Sequence, residues 1–483
     1  MKSIPLEEAV APMRRPRGRK PAGARIIGPA KSLEERVARY GGPVPRYTSY
    51  PTALHFTPVS GGAGVVQGLR QNEAVSRREL GLYVHIPYCQ ERCWYCGCNA
   101  LPAAGEARMD EYLSALDREM AIVQAAAPTE RPRVTLHWGG GTPNLLTPAQ
   151  IERLQASIER HYPAAKQTSF SVELDPRGLE ESKIEAFARA GCNRVSLGVQ
   201  DTNPQVQQAI HRIQPQSLNL KAVAWLRAAG IAAINIDLVY GFPLQTEATM
   251  QRTIEDTLAL KPSRVALFGY AHLPQRLPAQ RLLERAGPLP DALGRVRLFQ
   301  CAADLLAAAG YQRIGLDHFA LPDDPLAVAA REDQLWRDFQ GYSDRQPVDL
   351  RAFGLSAVSQ TANRYFQNHR DLAAYRQAVD SGRPAWARDC VLTPEDSDRR
   401  AIIMGIMTRF DYNDDHLIER GVEHPMVYRR AVRPVLERMH HDGLIVLNSA
   451  GFSVTQHGRF FLRRIASVFD TRKSESSQHS PGV

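Results

Sequence analysis

Apolar and polar positions along the chain alternate between two periods. Short apolar runs rich in β-branched residues, beginning with GLYVHIP at 81–87, are each followed by a longer segment in which apolar residues recur every three or four positions. In the first such segment Leu113, Leu116 and Met120 share one helical face. The alternation predicts parallel β/α units, and six can be counted between about 82 and 275.

The later strand-like runs are RVTLHW, SFSVEL, RVSLGVQ, AINIDLVY and RVALFGYAH. Thr147 can cap the second helix, and a further helix is expected around Arg212. Gly191, Gly230 and Gly310 each follow a helical pattern, as residues at helix C-termini do. Near-continuous apolar runs such as AINIDLVY suit strands covered on both faces, so the prediction is an α/β fold with a full or partial barrel.

Beyond about residue 360 the pattern becomes mostly helical. The segment GLIVLNSAGFSVT then predicts a hairpin that turns at 448–451, followed by a helix from about His457. Helices with a terminal hairpin resemble a winged helix, which raises DNA binding as an alternative. Many enzymes, however, use such a module as a lid or an interface.

Polar residues interrupt the strand pattern where a barrel places its active site, at the C-terminal ends of the strands. The cysteines follow the first strand and GGGTP follows the second. Glu173 lies in the third strand, Gln200 closes the fourth and Asp237 lies in the fifth. A carboxylate in an apolar run needs a partner, so Asp237 is a candidate binding residue.

The stretch CQERCWYCGC at 89–98 contains four of the seven cysteines. The other three, Cys192, Cys301 and Cys390, are scattered singly, unlike the cysteines of a secreted disulfide framework. A structural zinc site usually collects two separated pairs of ligands, and no second pair with that spacing occurs in the sequence. An iron–sulfur cluster therefore fits this stretch better than zinc.

Soft thiolates on a tight loop can occupy three corners of a four-iron cluster. If Cys89, Cys93 and Cys96 are those ligands, one iron keeps an open position, as catalytic metal centres do.

Composition and charge add limited information. With 483 residues and 43% hydrophobic residues, the chain is long enough for two domains. Residues 1–25 carry seven Lys and Arg against two Glu, which is +5 of the net +9. The sequence has no apolar signal segment and no run long enough to span a membrane, so a cytoplasmic protein is expected.

The spacing Cys-x-x-x-Cys-x-x-Cys after the first strand resembles that of the radical S-adenosylmethionine (SAM) enzymes. In that superfamily the amino and carboxylate groups of SAM chelate the open iron. One electron from the cluster then cleaves SAM to methionine and a 5′-deoxyadenosyl radical, which abstracts hydrogen from the substrate.

Nine further motifs narrow the resemblance to the oxygen-independent coproporphyrinogen III oxidases, also called coproporphyrinogen dehydrogenases. They are RYTSYPTA, YVHIPYCQERCWYCGCN, LHWGGGTP, ELDPR, SLGVQ, NIDLVYG, FGYAHLP, GLDHFALPDD and FQGY, in this order between 46 and 342. The resemblance as a whole covers about 40–470. The resemblance implies a partial (β/α)6 barrel with a mostly helical C-terminal domain, a [4Fe–4S] cluster and two SAM molecules. The implied reaction converts two propionates of coproporphyrinogen III to vinyls, giving protoporphyrinogen IX for haem biosynthesis.

The resemblance also assigns site residues. Cys89, Cys93 and Cys96 would hold the cluster, with the glycine turn and Tyr83 near the first SAM. The full set of implied SAM contacts is Tyr83, Tyr95, Gly140, Gly141, Thr142, Glu173, Gln200, Arg212, Asp237, Ala271 and Val358. Contacts to the substrate, or closure over it, would come from Cys98, Phe339 and Gln340. The chain departs from the family pattern at Arg351 and Ala352, where smaller residues are expected in a loop over the site.

The resulting domain prediction has five parts. These are a basic disordered tail (1–32), an arm covering the barrel opening (33–80), the barrel (81–360), a helical domain with the hairpin (361–470) and a disordered tail (471–483). The expected partners are coproporphyrinogen III and a small electron donor such as a flavodoxin or ferredoxin. No membrane or nucleic-acid partner is expected, and the chain is expected to be a monomer.

Three alternatives remain open from the sequence. Haem chaperone-like paralogues keep the three-cysteine motif but usually lack the arm, the fourth cysteine and the FQGY loop, all of which are present here. Other radical SAM paralogues transfer methyl or methylene groups. A DNA-binding protein with a zinc loop would leave the glycine turn and the carboxylates in the strands without a purpose.

Overall fold

The computed structural model describes residues 31–59, 62–103, 105–346, 348–472 and 482. Nearly all of the predicted N-terminal tail and most of the predicted C-terminal tail lie outside these residues.

Six parallel strands form the centre of the fold, as predicted. They pair in chain order, β1 with β2 through to β5 with β6. The order of the sheet is linear, and β6 pairs on its other side with an antiparallel strand rather than with β1, so the barrel is partial. The strands are β1 (Leu80–Ile86), β2 (Arg133–Gly140), β3 (Ala164–Leu174), β4 (Arg194–Gln200), β5 (Ala233–Tyr240) and β6 (Arg264–Gly269).

Each of the six strands is followed by a helix, and five of the six helices match the predicted series. After β4 the helix predicted around Arg212 is wrong, because two helices, Pro204–Ala209 and Gln216–Ala228, lie on either side of Arg212. Thr147 and Gln150 form a reciprocal capping box at the start of α2, which confirms the predicted cap. Gly191, Gly230 and Gly310 have φ values of 92°, 82° and 90°, as expected just beyond helix ends. The helices are α1 (Gly105–Ala126), α2 (Pro148–His161), α3 (Glu181–Arg189), α4 (Gln216–Ala228), α5 (Glu247–Ala259) and α6 (Ala292–Ala308).

The sheet extends well beyond the six strands. A seventh strand, β7 (Asp349–Phe353), pairs in parallel with β1. Antiparallel strands at both edges bring the sheet to thirteen strands within the described residues. They are Val358–Gln360, Arg364–Asn368, Trp386–Val391 and Thr57–Pro58 beyond β7, and His318–Ala320 and Gln312–Ile314 beyond β6.

Two predictions are wrong at the edge of the sheet beyond β1, where β7 lies. The boundary drawn after residue 360 falls inside the sheet, because Val358–Gln360 and Arg364–Asn368 are hydrogen-bonded neighbours. The residues Arg351 and Ala352 belong to β7 and not to a loop over the site. Arg351 is 2% exposed, and its guanidinium lies 2.6 Å from the Glu73 carboxylate, which compensates the buried charge.

The C-terminal part is helical and ends in the predicted hairpin, in which Asn448 pairs with Gly451. Its apolar core includes Tyr40, Tyr47 and Tyr50 of the N-terminal arm. The helices are Leu372–Asp380, Pro394–Arg409, Asp414–Glu419, Pro425–Ala431, Arg433–His441 and Leu462–Ala466, and the strands are Asp411–Asn413, Ile445–Asn448 and Gly451–Val454.

The N-terminal arm bridges the barrel and the C-terminal part. The guanidinium of Arg46 donates to the carbonyl of Gly269 at the end of β6, and the Tyr47 hydroxyl donates to Asp470 at 2.9 Å. The helices of the arm are Leu33–Tyr40 and Ala63–Val75. In the part of the chain that the structure covers, no helix is long and apolar enough to cross a membrane.

Candidate active site at the cysteine loop

A cavity of about 460 Å³ opens at the C-terminal ends of the barrel strands; we call it the cysteine cavity. It collects thirteen of the residues predicted for the site: Cys89, Cys93, Tyr95, Cys96, Cys98, Gly140, Gly141, Thr142, Glu173, Gln200, Arg212, Asp237 and Gln340.

Four predicted residues lie outside its lining. Tyr83 stacks on His137 with ring centroids 5.7 Å apart, behind the cavity wall. The carbonyl of Ala271 accepts a hydrogen bond from Gln280 at 3.0 Å. Val358 and Phe339 belong to an apolar cluster beside the arm.

The cysteine loop is held by contacts on both sides. The amide of Trp94 donates to the carbonyl of Ile210 at 3.1 Å, and its ring stacks on His211 with centroids 5.0 Å apart. The ring of Tyr95 lies 5.0 Å from that of Phe242. Aromatic packing thus fixes the two residues between the second and third cysteines of the motif.

Hydrogen-bond donors surround the sulfur atoms. Arg212 and Arg177 lie 3.5 Å and 3.6 Å from Cys93 Sγ, and Thr142 Oγ1 lies 3.4 Å from Cys89 Sγ. The amide of Cys98 donates to Cys96 Sγ at 3.4 Å. Such donors stabilise thiolates, the form of cysteine that binds metals.

The arrangement fits a cluster better than a single ion. Over the described residues, no three or more Cys, His, Asp or Glu side chains are gathered tightly enough to hold one metal ion. A [4Fe–4S] cluster does not require that, because each thiolate binds a different iron. Three free thiols on one loop, facing one cavity and surrounded by donors, match this requirement.

The turn after β2 requires glycine, because neighbouring protein atoms leave no room for a Cβ. Gly140 has φ +112°, and a Cβ there would lie 2.5 Å from the His85 ring. A Cβ at Gly141 would lie 2.6 Å from the Tyr88 carbonyl oxygen, just before the cysteine loop. The sequence pattern predicts ligand approach as the reason for these glycines, but the contact seen is with the backbone that carries Cys89 and with His85.

Glu173 presents a carboxylate to the cavity. It lies 3.1 Å from His137 Nε2 and accepts from the Gly140 amide at 3.2 Å. Burial raises the pKa of Glu173, but these partners outweigh burial and the net pKa is lowered. The side chain keeps 46% of its surface accessible because it faces the cavity, so an ionised carboxylate is available to a cationic ligand.

An ion-pair cluster, which the site prediction did not contain, lies beside Cys93. Asp175 is 2.7 Å from Arg177 and 3.0 Å from Arg212. Burial raises the pKa of Asp175, and the two guanidinium groups outweigh it, so that the pKa falls to about 2. Asp175 and Arg177 belong to the motif ELDPR, so the sequence pointed to them. Their contact with Arg212 depends on the fold. Arg212 itself lies between Pro204–Ala209 and α4 and not on the helix predicted around it.

Asp237 is held by neutral donors. Ser196 and Asn235 each donate to its carboxylate at 2.7 Å. Burial raises the pKa of Asp237 to about 6 despite these hydrogen bonds. The partner expected for this buried carboxylate is thus supplied within the chain, by Ser196 and Asn235.

Comparison with known proteins identifies the family to which the chain is similar. Residues 83–257 match the family model of the radical SAM superfamily. The oxygen-independent coproporphyrinogen III oxidase of Pseudomonas aeruginosa is 38% identical over 437 residues, which is 90% of this chain and 94% of that protein. The Synechocystis enzyme of the same name is 35% identical over 448 residues, with 92% and 96% covered.

A solved structure agrees. Coproporphyrinogen III oxidase from Escherichia coli, described as a radical SAM enzyme, superposes with a TM-score of 0.83 at 37% identity, covering 89% of this chain and 98% of that one. With such identity over nearly the whole of both chains, the protein belongs to the oxygen-independent coproporphyrinogen III oxidase family of the radical SAM superfamily.

Proposed function

We propose that this chain catalyses the oxygen-independent oxidative decarboxylation of coproporphyrinogen III to protoporphyrinogen IX. The observation that carries the proposal is the cysteine cavity. It lies in a chain that matches an oxygen-independent coproporphyrinogen III oxidase over 90% of its length. Each of two propionates loses a hydrogen atom, then its carboxylate as CO₂ and one electron to an acceptor, and becomes a vinyl group. A haem chaperone function is not favoured, because none of the reported relatives carries such a name.

Membership of the radical SAM superfamily brings a [4Fe–4S] cluster and SAM as cofactors. We assign the cluster to Cys89, Cys93 and Cys96. When bound, the cluster and SAM supply the one-electron chemistry that generates a hydrogen-abstracting radical. The chain holds the three thiolates with donors from Arg177 and Arg212 and closes the loop with aromatic packing.

Two groups of side chains are suited to the charged parts of SAM. Glu173 offers an ionised carboxylate for an amino group, next to the Gly140 amide. Asp237 and Gln200 lie elsewhere in the same cavity, beside Arg212. The two groups support two SAM molecules, the first at Glu173 and the glycine turn, the second at Asp237, Gln200 and Arg212.

Gln340 lies in the turn between two short strands, Trp336–Asp338 and Gly341–Ser343, that face the cavity. We assign this hairpin to closure over the substrate, because a carbon radical must be kept from water and oxygen. Cys98, next to the cluster ligands, lines the same space and is assigned to contact with the substrate. The electron would come from a small protein such as a flavodoxin or ferredoxin, and the chain would act as a monomer.

The test is anaerobic turnover. The protein is reconstituted with iron and sulfide, reduced and mixed with SAM and coproporphyrinogen III. Porphyrins and 5′-deoxyadenosine are then followed by chromatography. We expect protoporphyrinogen IX together with 5′-deoxyadenosine. If 5′-deoxyadenosine forms without any change in the porphyrin, the proposed substrate is wrong; if neither product forms from cluster-loaded protein, the proposed enzyme activity is wrong.

A further inference from the structure

A second, smaller cavity of about 110 Å³ lies next to the cysteine cavity, and Phe268 lines both. Arginines from three parts of the chain line it; we call it the arginine cavity. Arg46 comes from the arm, and the C-terminal part contributes two more. The arginines are Arg46, Arg313, Arg337, Arg459 and Arg463.

Among the described residues, three arginines of this cavity, Arg46, Arg313 and Arg459, have no ion-pair partner. Asp317 is the carboxylate that lines it among the described residues, and its hydrogen-bond partner is His318 at 2.8 Å. Within the described part of the chain, no carboxylate lies within the 4.0 Å ion-pair distance of Arg46, Arg313 or Arg459. These three positive charges therefore share a small space in which Asp317 is the one described carboxylate.

Arg459 is the clearest case. Its side chain donates no hydrogen bond to any described residue, and its Nε is buried without a partner. Its guanidinium lies over the Phe410 ring at 4.2 Å. Arg459 is half-buried, and its buried Nε lacks an acceptor, so an acceptor from a ligand would be stabilising.

Repulsion between neighbours adds to the imbalance. The pKa of Arg313 falls to about 10, first because of burial and then because of the charge on Arg459. The Arg313 guanidinium donates hydrogen bonds to two backbone carbonyls, that of Leu316 at 3.0 Å and that of Arg459 at 3.2 Å. Arg337 similarly donates to the carbonyl of Tyr47 at 3.2 Å. These bonds fix the guanidinium groups in place. Burial lowers the pKa of Arg337, but nearby groups, among them Asp317 and Asp338, raise it overall and partly compensate its charge. Arg313, in contrast, has no described carboxylate within ion-pair distance.

The size and position of the cavity indicate which anion it takes. At about 30 Å³ for each water, 110 Å³ holds a carboxylate on a short alkyl arm but not a tetrapyrrole ring. Guanidinium groups bind carboxylates in a bidentate manner. The shared wall at Phe268 places this anion site one side chain away from the space in which the reaction takes place.

We propose that the arginine cavity binds a propionate carboxylate of the substrate that is not decarboxylated, and so positions the reacting propionates in the cysteine cavity. This inference rests on the proposed function, since it takes the tetrapyrrole as the ligand. Arg459 and Arg46 are then residues that determine substrate binding, whereas the cluster and SAM do not depend on them.

The main test is the steady-state kinetics of Arg459→Gln. A lost charge-assisted hydrogen bond predicts an increase of about 10- to 100-fold in the KM for coproporphyrinogen III, with kcat within about twofold. Arg459→Lys keeps the charge and should recover part of the loss. Arg252→Gln, at an arginine whose side chain is 74% exposed on α5, is the matched control and should leave KM unchanged.

A binding series separates the carboxylate from the ring. Mesoporphyrin IX keeps only the two propionates that the reaction does not convert, and its dimethyl ester removes their charge. The affinities are measured by fluorescence titration of the reconstituted protein. Arg459→Gln should weaken the binding of mesoporphyrin IX about 10- to 100-fold and leave the weak binding of the ester unchanged. Equal losses for acid and ester would overturn the proposal, because they would indicate a change in shape and not a lost anion site.

The outcomes distinguish this inference from the proposed function. If the unmodified protein forms no protoporphyrinogen IX, the proposed function fails whatever the variants do. If it does, and Arg459→Gln keeps its KM and its affinity for mesoporphyrin IX, the function stands and the arginine cavity is not a substrate site. Gly482 also lines this cavity, and an unchanged KM together with lower thermal stability would favour the chain itself as the occupant.

Discussion

The two cavities that meet at Phe268 both contain arginines, and Arg212 in one and Arg459 in the other differ in how their charges are compensated. In the cysteine cavity, Arg212 lies 3.0 Å from Asp175 and donates to the Gly198 carbonyl at 2.6 Å. In the arginine cavity, Arg459 has no acceptor among the described residues. Arginines that are paired within the protein indicate a structural frame, whereas unpaired ones indicate a place for an external anion.

The difference matches the ligands proposed for each cavity. The cysteine cavity would receive thiolate-bound metal and SAM, which carries both charges, so internal pairing around Cys93 does not exclude the ligand. The arginine cavity would receive a carboxylate, for which an internal acid such as Asp175 would be a competitor. Internal charge balance is therefore a criterion for assigning the ligand of each cavity.

The largest effect is expected at Cys93 itself. Cys93→Ser removes one of three thiolates and leaves Arg177 and Arg212 facing a poor ligand, so iron content and 5′-deoxyadenosine formation should both be lost. Iron and sulfide analysis after anaerobic reconstitution measures the first, and chromatography measures the second.

Cys98→Ser is the matched control for that variant. The backbone amide of Cys98 donates to Cys96 Sγ, and the serine variant keeps this amide. Its iron and sulfide content should therefore equal that of the unmodified protein. A cluster that survives Cys93→Ser but not Cys98→Ser would contradict the ligand assignment.

The next effect concerns stability. Asp175→Asn removes the anion between two guanidinium groups, and breaking such a buried pair should lower the free energy of unfolding by about 3 kcal/mol. Urea denaturation of the cluster-free protein at pH 7 measures this change from the shift of the midpoint at constant slope.

The same measurement on Arg459→Gln sharpens the comparison. This variant loses the contact with Phe410 but also removes a charge that repels Arg313, so its free energy of unfolding should stay within about 1 kcal/mol of the unmodified value. A loss as large as that of Asp175→Asn would show that Arg459 is paired within the chain, and the distinction between the cavities would disappear.

Much of the fold and of the cysteine cavity could be predicted from local patterns. Strands covered on both faces produce apolar runs, so a carboxylate within a run, such as Glu173 or Asp237, stands out from its neighbours in the sequence. The cysteine spacing is equally local. Thr147 could be recognised as a cap because the capping box needs only four consecutive residues.

What could not be predicted depends on residues distant in the sequence. Arg46, Arg313, Arg337 and Arg459 are spread over more than 400 residues, and although Arg46 begins the motif RYTSYPTA, no local pattern shows that the four arginines share a cavity. The prediction of a loop at Arg351 is wrong because its partner Glu73, which allows the arginine to lie in a buried strand, is on the arm. Long-range pairing of charges decides both cases, and local periodicity carries no information about it.

A pH dependence also separates the two kinds of arginine. The pKa of Asp175 is about 2 in the fold against 3.8 in the unfolded chain, so its ionised form stabilises the fold above pH 4. That contribution, about 2 kcal/mol, should be lost as pH falls from 4 towards 2. Urea titrations of the cluster-free protein over this range should show the loss in the unmodified chain and in Arg459→Gln, but a flatter profile in Asp175→Asn. Equal profiles in all three would mean that the guanidinium groups of the cysteine cavity are not compensated by Asp175, and that the contrast between the two cavities is not one of charge pairing.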